Sequence, residues 1–197
     1  MYTMKRNLLF GLLAIMLLAG SCQRRTVTRV DTDRPIDLSG RWNDTDSRLV
    51  AEEMILDVVS RPWLSRFERT HDRVPVIIVG DVRNRSHEHI DAETFIRNME
   101  REFVNSGVVR VVQGAEFREQ IRQERADQQE FAAPETVARW RREVGADYML
   151  TGTMNSIVDQ LGRDRVIYYQ VNLELTDMET NEKVWIGEKQ IRKLVRN

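Results

Sequence analysis

His87 and His89 stand two apart in Ser86-His87-Glu88-His89-Ile90-Asp91, with the chain's third imidazole at His71. Two imidazoles beside carboxylates are zinc-ligand chemistry, and on a strand this spacing turns both rings to one face. The segment falls between a strand end and a helix cap, so a loop is expected there. Neither a third histidine nor a second cysteine is near it in sequence, and Asp81 and Asp91 are the carboxylates that could join. The bare motif does not make a metal site. His71, in Arg69-Thr70-His71-Asp72-Arg73, reads as an exposed loop residue. A serine nucleophile would want a Gly-x-Ser-x-Gly elbow, which is absent, as is a glycine-rich phosphate loop; Gly80, Gly107 and Gly114 are isolated turn glycines. Thirty-one acids always supply pairs, and no spacing marks one pair as catalytic. The expectation is no enzyme, no cofactor, no metal and no small-molecule substrate.

The remaining reactive group is Cys22, the only cysteine. It follows a basic n-region (Lys5, Arg6), an 11-residue apolar run from Leu8 to Leu18, and the small residues Ala19, Gly20 and Ser21. The run is too short to span about 30 Å of hydrocarbon and reads as a signal sequence over residues 1–21. Leu17-Leu18-Ala19-Gly20-Ser21-Cys22 resembles the lipobox of bacterial lipoproteins, in which the cysteine thiol takes a diacylglyceryl group. The alternative is an ordinary signal peptide that leaves a free thiol, a liability in an oxidising compartment. Several acyl chains on Cys22 (palmitate among them) would hold the mature chain firmly to a membrane. Gln23 follows where an inner-membrane retention signal would place Asp, so an outer-membrane anchor facing the periplasm is expected.

Residues 22–43 form the acylated cysteine and a flexible tether. Gln23 to Trp42 lacks a sustained hydrophobic period and is rich in Arg, Asp, Thr and Ser. The mature chain carries 28 Lys+Arg against 31 acids, so no basic excess exists to neutralise nucleic-acid phosphates. The basic residues are 26 Arg and four Lys, a lopsided choice that suits planar contacts at interfaces. Composition excludes a disulfide framework, a multispan membrane protein and bulk disorder.

Residues 44–197 read as one globular domain of α/β (α+β) class. A helix capped by Asp46 or Ser47 carries Val50, Ala51, Met54, Ile55, Val58 and Val59 on one stripe. Val74 to Val79 is a buried strand. Asp91 caps a helix bearing Phe95, Ile96, Met99 and Phe103 that ends at Gly107. Val108 to Val112 is a second strand, parallel to the first. Residues 115–126 and 134–144 are helical, the first carrying Phe117 and Ile121. The period then changes to two. Tyr148, Leu150, Gly152 and Met154 alternate on one strand, Tyr169, Val171, Leu173 and Leu175 on the next, and Val184 to Leu194 is the last. The order is α-β-α-β-α-α-β-β-β, a mixed sheet of about five strands with helices packed on it.

Trp42 and Trp63 flank the first helix as core or staple residues. If Tyr169 faces the core, Tyr168 lies with Gln170 and Asn172 on the other face. There it is either an interface anchor or a residue under a helix.

Several segments together resemble the LpoB family of bacterial lipoproteins. They are Asp37 to Ser47 running into a helix, Val79 to Ser86, Gly145 to Gly152, and the hairpin Leu173 to Asp177 through Thr180 to Trp185, covering residues 37–197. The resemblance implies a periplasmic, outer-membrane-anchored activator of a bifunctional penicillin-binding protein, acting in peptidoglycan synthesis and so in cell-wall biogenesis and cell shape. It would work by contact, with no chemistry of its own. The best-known members have a longer, Pro-rich tether; here it is about 20 residues. A second reading is an envelope lipoprotein of the same fold that scaffolds another, secretion-related assembly.

Overall fold

The computed structural model describes residues 27–31, 34–133, 135–136 and 143–196. The chain divides into two compact units, Met1–Arg34 and Pro35–Asn197. In the first, the Arg34 N–H donates to the Asp31 carbonyl at 3.2 Å. The expected signal sequence and Cys22 lie outside the described residues, as does most of the helix expected over 134–144; Glu143 and Val144 are described and are not helical. Among the described residues no helix is long and apolar enough to cross a membrane.

The second unit opens with α1 (Asp44–Val59), which starts earlier than its apolar stripe suggests because Asn43 and Asp46 cap it reciprocally. The Asn43 side chain accepts from the Asp46 N–H and the Asp46 carboxylate from the Asn43 N–H, each at 3.0 Å, satisfying two donors the first turn would orphan. Val50, Ala51, Met54, Ile55 and Val58 are buried as the spacing predicts. A second helix, α2 (Pro62–His71), begins where a helix end was expected. Pro62 occupies the first helical turn, where its missing N–H costs nothing. Trp63, Leu64 and Phe67 are buried beneath α2. His71 is the last residue of this helix rather than part of a loop, with its ring stacked 4.1 Å from that of Phe67.

β1 (Val76–Arg85) leads to α3 (Ala92–Ser106), capped by Asp91 and closed by Gly107 at φ 69°. β2 (Arg110–Val112) is short, and α4 (Ala115–Phe131) follows with none of its side chains buried. Phe117 and Ile121 are exposed on α4, which is held instead by Arg97 over the Phe117 ring at 4.5 Å and by a two-pronged Arg122–Glu143 pair. β3 (Tyr148–Leu161), β4 (Asp164–Asp177) and β5 (Lys183–Val195) complete the fold.

The strands form one sheet in the order β2-β1-β3-β4-β5. β1 is parallel to β2 and β3, while β3–β4 and β4–β5 are antiparallel hairpin pairs. The architecture is therefore the expected mixed α+β sheet with helices packed on it. In β1 the register steps from Val79 opposite Leu150 to Val82 opposite Gly152, a bulge at Gly80–Asp81 that returns Val82 to the core face. The core packs α1, α2 and α3 against Ile77, Leu150, Met154, Ile167, Tyr169, Val171, Leu173 and Leu175 on one face.

Residues 36–42 have neither helix nor strand but are fastened down. The Lys193 ammonium sits 2.8 Å from Asp37 Oδ2, donates to the Arg41 carbonyl at 2.9 Å and meets Asp46 Oδ2 at 2.5 Å. Arg165 Nη2 donates to the Ser39 carbonyl at 3.2 Å. Gly40, at φ 69°, lies so close to Val195 that a Cβ would overlap its side chain at 2.2 Å.

Candidate docking face

The period of two in β3–β5 sorts side chains onto two faces, and the register decides which of them meet. On the face away from the core, matching residues form rows across the strands: Arg83–Thr153–Asn172–Glu188, Arg85–Asn155–Gln170–Gln190, Ile157–Tyr168–Arg192 and Asp159–Val166–Leu194. The amides and carboxylates are linked. Gln170 Nε2 donates to Asn172 Oδ1 at 3.0 Å and to Glu188 Oε2 at 2.9 Å, and Gln190 donates to Glu188. Asn155 Nδ2 donates to Thr153 Oγ1 at 3.2 Å. Side chains already joined in this way have less freedom to lose when a partner binds.

Tyr168 is half-buried on this face, with its hydroxyl donating to Gln170 Oε1 at 3.3 Å and the Arg192 guanidinium 5.8 Å from its ring centroid. It borders a hollow of about 520 Å³ lined by Ile157, Asp159, Val166, Tyr168, Gln190 and Arg192. A second hollow of about 550 Å³ lies beside the bulge, between Asp81, Arg83, Thr151, Thr153, Asn172 and Glu174. A half-buried aromatic with an arginine on its ring, set in hydrogen-bonding groups, is the composition of a protein-binding patch.

The histidines serve another purpose. His87 and His89 are both exposed in the loop after β1, as expected, and among the described residues no group of three or more His, Cys, Asp or Glu side chains could hold a metal ion. His87 Nδ1 lies 2.5 Å from Ser156 Oγ and its Nε2 3.3 Å from Glu88 Oε1, which sketches a hydrolase triad that the sequence did not suggest. Ser156 Oγ already accepts the His87 backbone N–H at 3.0 Å. Glu88 accepts the Tyr169 hydroxyl at 2.8 Å and the Trp42 N–H at 3.2 Å. These bonds fasten the loop to β3, to the centre of β4 and to the lead-in to α1. Burial, reinforced by the hydrogen bond to Glu88, pushes the Tyr169 phenol well above its ordinary pKa.

Trp42 is half-buried, its ring edge-on to Tyr169 at 5.5 Å and its Nε1 donating to Ser47 Oγ at 2.7 Å. Trp63 is buried and donates to the Val58 carbonyl at 2.7 Å. Both are packing residues.

Among the curated proteins none matches this chain. Solved structures that align with this chain include the LpoB C-terminal domain from Escherichia coli (16% identity, 74% of this chain and 98% of that chain, TM-score 0.46). An NMR structure of E. coli LpoB aligns at 15% identity over 89% of this chain and 86% of that chain, with a TM-score of 0.40. The LpoB C-terminal domain from Salmonella enterica aligns at 19% identity over 67% and 94%, with a TM-score of 0.34. The family model described as peptidoglycan-synthase activator LpoB matches residues 46–191, from the first turn of α1 into β5. With nearly the whole folded unit inside that match, this chain belongs to the LpoB family of peptidoglycan-synthase activators.

Proposed function

We propose that this protein is a periplasm-facing lipoprotein, anchored to the outer membrane through an acylated Cys22, that binds a bifunctional penicillin-binding protein and activates its peptidoglycan synthesis. The observation that carries the reading is the family match over residues 46–191, which takes in β3, β4 and β5 as far as Ile191. Its activity is contact. The side chains that could have done chemistry, Ser156, His87 and Glu88, are engaged in holding the loop after β1. The partner is a protein, met by the face of β3–β5 away from the core with Tyr168 and Arg192 as anchors.

The test is capture and rate. Residues 23–197, immobilised and exposed to detergent-solubilised envelopes, retain a penicillin-binding protein, and the same chain raises the glycan-polymerising rate of that purified synthase. Capture without any penicillin-binding protein, or binding with an unchanged rate, refutes the activator reading.

A further inference from the structure

The two edges of the sheet are built differently. β5 carries three of the chain's four lysines, Lys183, Lys189 and Lys193, and lysines along an edge discourage another strand from pairing there. β2, the opposite edge, has no lysine, and among the described residues it pairs with β1 alone. The Arg110 N–H donates to the Pro75 carbonyl at 2.9 Å, and Arg110 and Val112 stand opposite Val76 and Ile78 in a parallel ladder. The alternation of that ladder aims the Val111 N–H and C=O away from β1. Three residues are too few for backbone pairing alone to hold a partner, but β2 runs between two hollows. The register puts Val112 on the face of Ile78 and Met149, away from the core, and Val111 on the face of Ile77, toward α3. Away from the core, a hollow of about 480 Å³ lies between the sheet and α4, with Ile78, Val112, Ile121 and Met149 in its lining. Toward α3, a hollow of about 310 Å³ brings Val111 to Val104, which is 60% exposed. A strand laid along β2 sends alternate side chains into the two.

The charges of the two hollows say what those side chains are. The larger is lined by Arg110, Arg118 and Arg125 against one acid, Glu143. Glu143 is already held by two nitrogens of Arg122, at 2.8 and 2.9 Å. Asp147 and Asp177, each next in sequence to a lining residue, accept from Arg73 and from the Glu179 and Thr180 N–H groups. Among the described residues Arg110 and Arg118 make no ion pair. In the smaller hollow Arg97 pairs with Glu93 and Glu100, and Arg101 with Glu102, so no cation there awaits a partner. Met149 also borders the hollow beside the β1 bulge; the edge thus adjoins the docking face, whose anchors lie on β4 and β5 across the sheet. We infer that β2 is a second recognition edge, taking an extended segment of a partner protein with an aliphatic and an acidic side chain two positions apart and a small apolar one between them. The segment adds a strand at Val111, a recurring mode of peptide recognition. Its aliphatic residue lies against Ile78 and Ile121, its carboxylate meets Arg110 or Arg118, and its middle residue covers Val104. A carboxylate and a guanidinium make the stronger, charge-assisted kind of hydrogen bond.

The test is a nuclear magnetic resonance titration of ¹⁵N-labelled residues 23–197, whose described core lies wholly within Pro35–Asn197. The probe is the acetylated, amidated peptide Ser-Leu-Val-Glu-Ser, in which Leu and Glu share one face of an extended chain and Val takes the other. Saturable binding is expected, with shifts at Val111, Val112 and Ile121 and slowed hydrogen exchange at the Val111 N–H. Added salt weakens it. The same peptide with Lys in place of Glu binds about tenfold more weakly, as does the parent peptide to Arg118→Glu or Ile121→Ser. Both substitutions lie on α4, which has no buried side chain, and an unchanged unfolding midpoint confirms that each variant is folded. Leu56→Ser, on the exposed side of α1, binds as the parent does. Absence of binding, equal binding of the Lys peptide, or binding that leaves Val111 exchange unchanged overturns the inference. If the protein instead self-associates and Arg118→Glu makes it monomeric, the occupant of this edge is a second copy and the inference is refuted.

Discussion

The Lys193 ammonium, near the end of β5, lies 2.8 Å from Asp37 Oδ2, two residues beyond the start of the folded unit, and shares its charge with Asp46. Burial alone would lower the lysine's pKa, but the hydrogen bonds to Asp37 and Asp46 outweigh it and hold the amine above its ordinary value. The stabilisation is therefore complete below the ordinary lysine range and is lost as pH climbs through the raised value. Lys193→Met leaves Asp46 buried without its cation, and the expected loss in urea unfolding at neutral pH is about 2–4 kcal/mol. Residues 36–42 should become the first site of proteolysis. An unchanged unfolding midpoint would show that the lysine does not hold this segment.

A second carboxylate governs the acid side. Asp147 accepts from both Arg73 nitrogens at 2.6 and 2.7 Å and from the Val76 N–H at 2.8 Å, joining the start of β1 to the start of β3. Burial raises its pKa, yet Arg73 and the Val76 N–H prevail and hold the acid below its ordinary value. Its contribution is full above about pH 4, the unfolded value, and drains away as pH falls through the lowered one. Asp147→Asn should cost about 1–3 kcal/mol at neutral pH and flatten the acid limb of the stability profile. Parallel acid limbs for the two proteins would refute the assignment.

Glu88 and Tyr169 couple the loop after β1 to the sheet. In Glu88→Ala the phenol keeps its burial but loses its acceptor and the neighbouring negative charge, so Tyr169 should ionise at lower pH than in the parent and still above an exposed tyrosine. Ultraviolet titration reads this directly. A Tyr169 transition that does not move would mean that burial alone sets it.

Tyr168 and Arg192 form the proposed anchor of the docking face. Truncating either to Ala removes a half-buried aromatic or the cation on its ring, and binding to the synthase should weaken at least about tenfold with stability changed by less than about 1 kcal/mol. Surface plasmon resonance with calorimetry on each variant separates the two effects. Full-strength binding by both variants would move the interface off this face.

Cys22 is tested by labelling. Radioactive palmitate should enter the parent and not Cys22→Ala, and the variant should appear in the soluble periplasmic fraction instead of the outer membrane. Label retained in Cys22→Ala would place the lipid elsewhere.

Spacing alone carried much of this fold. Val50, Met54, Ile55 and Val58 on one helical stripe, Phe95, Met99 and Phe103 on another, and the strict alternation of Tyr169, Val171, Leu173 and Leu175 are periodicities that the burial of one face imposes on any chain, and each is buried where that rule puts it. The placement of Tyr168 beside Gln170 followed from the same alternation. The cap on Asp91 and the left-handed Gly107 are local chemistry and equally readable. Long-range partners are not local. That Glu88 accepts from Tyr169, 81 positions away, that Lys193 clamps Asp37, and that Ser156 meets His87 depend on how strands shift past one another. So does the helix after Pro62, whose three buried side chains find their pocket only once β3 places Tyr148 against Trp63 and Phe67. Local patterns tell a residue which way to face; only the closed sheet determines what it faces, because register is set by the sum of all the contacts and by none of them singly.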